Sequence, residues 1–405
     1  MIQRRAVAAS LAASLAAGIA LPRVAAAAAA DWQRSLGYPT GRGPNGNWTD
    51  KDYRIGNYSG GFEAMFRARP IAAPAQASPL MAASADNLKA FAPVAASAAD
   101  YLKAWPVTGL LVARKGQVLL ESYQFDRKPE MRMTSWSMAK SVTSLLLGIC
   151  LDRGLIRSLD DTPQMYVEDL KGTLHGGIAL RHLANMSSGA AILHERDNPT
   201  IYPRAFSGGN TDLEAVVRGW NTVQEPPGTR YNYNELCPLT IGMVIRQVTG
   251  KPLASFCEEA LWQPLGAEGD ASWLCDSKGK EFNCIGFGAR LRDWARLGQL
   301  IAQNGTIEGH QVVSKKWIDE CSSWSAADAQ GRHGTAMRYF GYKNFFWHPK
   351  ADGSWMMMNG HHGQRVLVDR VTQTVLVQTA VEAEGPWQAQ LLQLFGAATK
   401  LGLAV

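Results

Sequence analysis

Two copies of the spacing Ser-x-x-Lys could support nucleophilic catalysis: Ser137-Met138-Ala139-Lys140 and Ser277-Lys278-Gly279-Lys280. Residues three apart on a helix are neighbours, so the serine hydroxyl and the lysine amine would lie side by side. Burial disfavours the charged amine, and an uncharged lysine can take the proton of a serine and make it a nucleophile. The first copy lies in the apolar stretch Met131–Cys150, which predicts a helix, whereas the second lies in a polar stretch typical of an exposed turn. The alternative for the first copy is a buried helix serine whose lysine is directed outward.

A second group of chemically useful residues follows the helix-breaking run Glu225-Pro226-Pro227-Gly228. The segment Pro227–Glu235 carries Tyr231 and Tyr233 among polar residues, which predicts a loop that directs side chains into a cleft. A tyrosine close to a cationic lysine can ionise and transfer a proton. The simpler interpretation is an aromatic loop that packs on the core.

A third group is the segment Met358–Gln364, which precedes the apolar run Val366-Leu367-Val368. Gly360 and Gly363 would let a ligand approach the backbone at the edge of a strand. A backbone N–H there, opposite the N–H of Ser137, would complete an oxyanion hole. A simple β-bulge is the alternative.

The elements that must position these groups alternate between strands and helices. The patterns predict a hairpin over Val107–Tyr123, a second hairpin over 366–377, and helices over Ser137–Arg153, Leu236–Val248 (capped by Gly250), Leu291–Asn304 and Gln388–Leu403. Strands near both ends of the main domain predict one sheet, with an inserted, mostly helical lobe over about residues 155–275. Residues 98–405 would form this domain, and residues 31–97, rich in Gly, Pro, Asn, Ala and Ser, an irregular extension wrapped around it.

The chain has 405 residues, 46% of them hydrophobic, which is ample for a large core. Residues 1–30 resemble a secretory signal, with Arg4-Arg5, an apolar run and small residues near Ala30. We therefore expect a periplasmic or secreted protein, exported by a Sec or twin-arginine signal. Loss of Arg4, Arg5 and Arg23 lowers the net charge from +6 to +3, and no basic run with interleaved aromatic residues predicts nucleic-acid binding. Pro22 and Arg23 interrupt the apolar run, so a stable membrane anchor is not expected.

The six cysteines would meet an oxidising compartment after export. Cys275 and Cys284 flank a turn-rich segment and are a candidate disulfide pair. No Cys or His spacing is typical of a metal site, so neither a metal nor another cofactor is expected.

The order of the three groups resembles the serine β-lactamase and penicillin-binding protein superfamily, most closely its class C β-lactamase-like esterase and 6-aminohexanoate-dimer hydrolase branch. The resemblance covers about residues 98–400. Its further motifs are Leu183–Gly189 (LLxMxSG-like), Pro227–Arg230 with Tyr233, Leu291–Gly298 (LRDxARxG-like) and Gly360–Gln364 (GxHGQ-like). It implies an α/β (α+β) fold of the β-lactamase/transpeptidase type, in which helices flank an antiparallel sheet.

The resemblance also implies roles for individual residues. Ser137 would be the nucleophile, Lys140 its base or tuner, and Tyr233 the acid that protonates the leaving group; Tyr231 is the alternative tyrosine. The N–H groups of Ser137 and His361 would form the oxyanion hole, with Gln364 replacing His361 if the register shifts. The substrate-binding candidates are Glu235, Gly360, His362 and Gln364.

Two departures from the family pattern bear on the substrate. Glu235 stands where the family's Tyr-x-Asn motif has asparagine; paired with Lys140 it would keep the lysine charged and favour Tyr233 as the base. The family's Lys-Thr-Gly is absent, which disfavours penicillin recognition. We therefore expect an exported serine hydrolase that cleaves a small linear amide or ester through an acyl-enzyme. The alternatives are a β-lactamase or D-alanyl-D-alanine peptidase, and a catalytically inactive ligand sensor.

Overall fold

The computed structural model describes residues 36–194, 197, 212–323, 341–350, 352–382 and 384–403. The predicted signal, residues 1–30, lies outside these ranges. The strands are β1 (Ala68–Ile71), β2 (Met81–Ala82), β3 (Val107–Arg114), β4 (Gln117–Tyr123), β5 (Met133–Thr134), β6 (Ala271–Leu274), β7 (Phe287–Ala289), β8 (Thr306–Ile307), β9 (His310–Gln311), β10 (Gly341–Lys343), β11 (Phe346–His348), β12 (Trp355–Gly360), β13 (Gln364–Asp369) and β14 (Thr374–Ala380).

The longer helices are α1 (Ala85–Ala104), α2 (Met138–Asp152), α3 (Leu180–Ala184), α4 (Leu213–Gly219), α5 (Leu236–Thr249), α6 (Leu253–Cys257), α7 (Leu291–Ala302), α8 (Lys315–Ser322) and α9 (Trp387–Lys400). Short helical turns occupy Lys51–Tyr53, Arg54–Gly56, Asn57–Gly61, Phe62–Met65, Pro163–Met165, Glu168–Leu170, His175–Gly177, Glu258–Trp262 and His361–Gly363. The predicted helices and hairpins are confirmed to within a few residues.

The main sheet has eight strands in the order β10-β11-β12-β13-β14-β3-β4-β2, antiparallel except for the β2–β4 pair. Its centre joins distant parts of the chain, since Val377 of β14 lies opposite Leu111 of β3. The sheet is therefore built from strands near both ends of the described chain, as predicted. The mixture of helices with an antiparallel sheet confirms the α/β class.

Local backbone chemistry explains the elements that flank this centre. The two-residue turn between β3 and β4 places Lys115 at φ 50° and Gly116 at φ 79°. Positive φ at both central residues defines the type I′ turn, whose twist matches that of paired strands. Gly250 ends α5 in the left-handed conformation at φ 65°, the expected C-terminal cap.

Helices cover both faces of the main sheet. On one face α7 packs so closely that a Cβ at its Gly298 would lie 2.5 Å from Val375 Cγ1. On the other face, Tyr101 of α1 donates a 2.6 Å hydrogen bond to Gln378, and Trp355 packs on Phe395 of α9 with ring centroids 4.7 Å apart. Because both faces are covered, β13 and β14 are buried along their whole length.

A smaller sheet positions the first predicted catalytic group. It has four antiparallel strands in the order β1-β6-β7-β5. The chain leaves β5 at Thr134 and begins α2 at Met138, so Ser137 lies at the junction between sheet and helix. Residues 155–275 contribute α3 to α6 and several short helical turns, and end in β6.

The N-terminal region differs from the predicted irregular extension. β1 pairs with β6, β2 pairs with β4, and α1 runs through the predicted domain boundary at residue 98. Ser84 caps α1 by accepting a 3.2 Å hydrogen bond from the N–H of Asn87. Tyr58 and Phe62 are part of the buried core. The region from residue 36 is therefore integrated with the main domain because it supplies strands and core aromatics.

The predicted Cys275–Cys284 disulfide is wrong, because both residues are buried free thiols. Cys275 Sγ hydrogen-bonds to the carbonyl of Trp273 at 3.4 Å, whereas the thiol of Cys284 faces Glu235 and Lys140. The intervening turn is closed instead by Asp276, whose carboxylate accepts from the N–H groups of Lys278 and Lys280. Within the described ranges, no helix combines the length and apolar character needed to cross a membrane.

Candidate active site

The turn before Ser137 is tightly fixed. Ser135 donates its N–H to the carbonyl of Phe287 at 2.7 Å and its hydroxyl to that of Ile285 at 3.0 Å. Trp136 adopts φ 45°, a left-handed conformation that is strained for a bulky side chain and persists only where its surroundings impose it. Ser137 follows as the N-cap of α2 and is only partly buried. The result is an accessible hydroxyl at the positive end of a helix.

Lys140 lies one turn further along α2 and is withdrawn from solvent. Its ammonium donates to Ser137 Oγ at 3.0 Å and to the carbonyl of Cys284 at 3.0 Å, and lies 2.6 Å from Glu235 Oε2. Burial is the largest single effect and acts to lower the pKa of Lys140, but Glu235, Tyr233 and Cys284 together raise it further, so the pKa lies above its usual range. Lys140 therefore rests as an ammonium, and the predicted pairing of Ser137 with Lys140 is present.

The second Ser-x-x-Lys copy has none of this context. Ser277 and Lys280 lie in a turn after β6, as the polar sequence predicted, and both are partly buried. Lys280 Nζ lies 3.6 Å from Glu214 Oε1.

Tyr233 lies on the other side of Lys140. The lysine Nζ is 4.8 Å from the centroid of the Tyr233 ring. Burial raises the pKa of Tyr233, while the charge of Lys140 and hydrogen bonds to Ser137 and Lys140 oppose that rise. Tyr231 instead packs on Tyr342, with ring centroids 5.1 Å apart. Of the two predicted tyrosines, the structure therefore brings Tyr233 to the Ser137–Lys140 pair.

Asparagine side chains hold the tyrosine loop. Asn234 accepts from the N–H groups of Leu236 and Cys237 at 3.0 and 3.1 Å, which caps the start of α5. Asn232 donates to the carbonyl of Ile192 at 2.7 Å. The segment 183–189 lies against this loop. A Cβ at Gly189 would lie 2.1 Å from the carbonyl oxygen of Glu225, the first residue of the helix-breaking run. The two family-like motifs thus form one supporting unit.

Glu235 makes the predicted pair with Lys140, and this differs from its other predicted role as a substrate-binding residue. Its side chain is fully buried and pairs with Lys140. His194 Nδ1 lies 4.0 Å from Glu235 Oε1, and its ring packs on Tyr233 at 5.1 Å. His194 is partly exposed and belongs to no motif, so sequence reasoning missed it.

The third predicted group forms the turn between β12 and β13. A Cβ at Gly360 would lie 2.2 Å from the carbonyl oxygen of Ser135, so only glycine allows this strand to approach the nucleophile turn. His361 is exposed, and its ring lies 5.4 Å from that of Trp136. The turn thus packs against Ser135 and Trp136, the two residues before Ser137.

Gln364 and His362 do not have the environment expected of substrate-binding residues. Gln364 is buried, and its amide donates to the carbonyls of His361, His362 and Ala380 at 3.1, 3.2 and 2.6 Å. His362 is also buried and bonds to Tyr58. Both side chains hold the turn because their polar atoms are engaged within the protein.

The β-lactamase family model matches residues 94–380, more than half of the chain. The chain belongs to the β-lactamase family. The 6-aminohexanoate-dimer hydrolase of Paenarthrobacter ureafaciens is 24% identical over 281 residues, which cover 66% of this chain and 71% of that protein. The present chain, a β-lactamase-fold hydrolase, also shares 25% identity over 246 residues with unguisins hydrolase ungD' of Aspergillus campestris. The match covers 56% of this chain and 42% of that protein.

Solved structures share the fold of this chain. A Bacillus anthracis structure that carries the name of a 6-aminohexanoate-dimer hydrolase by assignment covers 90% of this chain and 100% of its own, with a TM-score of 0.75 and 21% identity. A family VIII carboxylesterase covers 78% of this chain and 98% of its own, with a TM-score of 0.60 and 15% identity. These likenesses establish the shared architecture.

Proposed function

We propose that this β-lactamase-family hydrolase cleaves a small linear amide or ester through an acyl-enzyme on Ser137. The observation that carries the proposal is the convergence of Ser137, Lys140, Glu235 and Tyr233 in one partly enclosed site. Lys140 Nζ lies 3.0 Å from Ser137 Oγ, within the reach required for proton transfer. The alternative of a buried helix serine whose lysine is directed outward does not fit this geometry.

The proton of Ser137 has a short path. Glu235 keeps Lys140 protonated, so the lysine accepts a proton only as it gives one up. Lys140 therefore passes one proton to Glu235, 2.6 Å away, as it takes the proton of Ser137. The carboxylate is the final acceptor, and no extra positive charge forms in the buried site.

Tyr233 then serves the leaving group. Its raised pKa keeps the phenolic proton in place at neutral pH. When the tetrahedral intermediate collapses, Tyr233 donates that proton to the departing amine or alcohol, and it regains one from Glu235 through Lys140. Water hydrolyses the acyl-enzyme by the same path in reverse.

The backbone N–H groups of Ser137 and His361 form the oxyanion hole in this proposal. Ser137 lies at the N-terminus of α2, where the helix dipole favours negative charge. The close approach of Gly360 to Ser135 supports the position of His361 as the second donor. Donors fixed in this way stabilise the oxyanion without reorganisation.

The end of β12 supports an amide or ester over a penicillin. It reads Met358-Asn359-Gly360, without the lysine of the family's Lys-Thr-Gly. The relative from Paenarthrobacter is named for the 6-aminohexanoate dimer, and that linear amide is the first substrate to test.

We also propose that residues 1–30 direct export to the periplasm or medium. N-terminal sequencing of the protein from cell fractions tests this. A mature chain that begins near residue 31 outside the cytoplasm supports it, and an intact N-terminus in the cytoplasm opposes it.

The proposed function is tested with purified protein and a panel of esters, short amides including the 6-aminohexanoate dimer, a cephalosporin and a fluorophosphonate, followed by intact mass. We expect a covalent adduct that Ser137→Ala abolishes and that Ser277→Ala, in the second Ser-x-x-Lys copy, retains. The absence of any adduct or turnover would favour the ligand sensor. Faster turnover of the cephalosporin than of every ester and amide would favour the β-lactamase.

A further inference from the structure

The segment Trp48–Phe62 lies before the region matched by the family model, which begins at residue 94. It nevertheless encloses Trp136, the strained residue before Ser137. Trp48 stacks on Trp136 with ring centroids 5.1 Å apart and an interplanar angle of 18°. Tyr58 and Phe62 contact the same ring edge-on, at 5.7 and 6.1 Å. The nucleophile turn is thus held by residues from the N-terminal region.

The same segment also contacts the turn on the other side of the proposed oxyanion hole. The Tyr58 hydroxyl lies 2.6 Å from His362 Nδ1, and both side chains are buried. Burial raises the pKa of Tyr58 and lowers the pKa of His362 to about 2, so both groups are neutral around pH 7. One short hydrogen bond between neutral partners therefore joins the N-terminal segment to the β12–β13 turn.

That turn has a conformation that needs support. His362 and Gly363 have φ 55° and 92°, and a left-handed conformation costs a non-glycine residue about 1–3 kcal/mol. Gln364 and Gln378 bind the carbonyls of the turn, with Gln378 donating to Gly363 at 3.0 Å. Tyr58 instead holds the side chain of His362, next to the residue whose N–H is the proposed second donor.

We propose that Tyr58 is a positioning residue that acts through His362 to aim the N–H of His361 at the oxyanion, which makes the N-terminal segment part of the catalytic unit. This inference rests on the proposed function. Tyr58 touches no reacting atom. It fixes a donor whose misplacement weakens binding of the transition state more than binding of the substrate.

The test is Tyr58→Phe, which keeps the ring against Trp136 and removes the hydroxyl. The matched control is Tyr123→Phe on β4, whose hydroxyl donates a 2.7 Å bond to Glu121. We expect kcat of Tyr58→Phe to fall about 3- to 10-fold, the worth of one hydrogen bond, with KM unchanged. The affinity for a boronic acid that mimics the tetrahedral intermediate should fall by the same factor. Tyr123→Phe should match the wild type in both. Unchanged kcat and boronate affinity in Tyr58→Phe, or a change in KM alone, would overturn the inference.

A double-mutant cycle separates this bond from a general loss of packing. Asparagine tolerates the left-handed conformation, so His362→Asn removes the partner of Tyr58 with little added strain. We expect Tyr58→Phe to have no further effect on kcat in the His362→Asn background. Independent, multiplying effects would contradict the proposal.

Hydrogen exchange keeps the inference separate from the proposed function. The amides of residues 358–366 should exchange faster in Tyr58→Phe than in the wild type and Tyr123→Phe. If the wild type shows neither turnover nor boronate binding, the proposed function fails, and the catalytic role of Tyr58 fails with it. Faster exchange would then leave only a structural role, whereas unchanged exchange would remove that role as well.

Discussion

Lys140 Nζ and Glu235 Oε2 form a 2.6 Å ion pair whose side chains are 1% and 0% exposed. A buried pair of this kind is costly to desolvate, and the loss of one partner leaves an uncompensated charge. The pair lies beside Ser137 and Tyr233. Its position gives the proposed proton path a carboxylate at its end.

Glu235→Gln should remove that final acceptor. We expect kcat at pH 7 to fall roughly 10²-fold or more, since general acid–base catalysis contributes on that scale. Without the carboxylate, burial lowers the pKa of Lys140, so the remaining activity should rise with pH as the lysine loses its proton. A kcat–pH profile measures both effects. Urea unfolding should also show a loss of about 3 kcal/mol in the free energy of unfolding.

Glu214→Gln is the matched control for this prediction. Glu214 lies on α4 and is partly exposed, and it pairs at 2.8 Å with Arg246, near the end of α5. Its substitution should leave kcat and the pH profile unchanged. Equal profiles for the wild type and Glu235→Gln would remove Glu235 from the proton path.

Tyr233→Phe should separate substrates by their leaving groups. An amine must be protonated to depart, whereas a nitrophenolate departs without help. We expect turnover of amides to fall about 10²- to 10⁴-fold, and turnover of nitrophenyl esters much less. Tyr231→Phe, a neighbouring buried tyrosine that packs on Tyr342, should change neither rate strongly. A loss that is equal for both substrate classes would mean that Tyr233 does not act as the leaving-group acid.

Asp293 on α7 should make the stability of the protein depend on pH. Burial raises the pKa of this carboxyl to about 7, although its Oδ1 accepts the N–H of Glu268 at 2.7 Å. The folded pKa is above the unfolded one, so the contribution of Asp293 to stability is full below about pH 4 and declines as the pH rises towards 7.

Asp293→Asn cannot ionise and should remove that decline. Relative to the wild type, we expect it to gain about 2 kcal/mol in the free energy of unfolding between pH 5 and pH 8. Urea unfolding of both proteins at the two pH values measures the gain. A difference that does not change with pH would show that Asp293 stays ionised throughout.

The buried thiols should remain reduced. Thiol titration of protein denatured without reductant should count six free thiols, and dithiothreitol should leave the melting temperature unchanged. Four thiols that become six on reduction would restore a disulfide. In the folded protein the thiols should react slowly, because burial raises the pKa of Cys237 and Cys275 to about 12.

The sequence allowed the Ser137–Lys140 contact to be predicted, because short-range spacing determines its geometry. Ser137 and Lys140 are one helical turn apart, so the helix alone makes them neighbours. Gly250 and the Lys115-Gly116 turn followed from backbone conformations that few residues adopt. These features depend on a few adjacent residues, which a sequence shows directly.

Tertiary contacts decided what the sequence could not show. Glu235 is a departure from a motif, and only the packing of α5 against α2 shows that it pairs with Lys140. From the sequence, Trp48 and Tyr58 are aromatic residues in a Gly- and Pro-rich region. Only the fold shows that Trp48 contacts Trp136 and that Tyr58 contacts His362. Gln364 sits within a recognisable motif, yet its amide serves the turn itself.

The pairing of β14 with β3 makes the centre of the fold depend on strands that are far apart in the chain. Val377 and Leu111 face each other across the sheet, so this centre closes only when both strands are present. Gly360 and His361 reach the nucleophile turn only through β12 and β13. A chain truncated before residue 360 would therefore carry Ser137 without the second half of the proposed oxyanion hole, and we expect it to lack hydrolytic activity. Such long-range pairing also predicts slow folding.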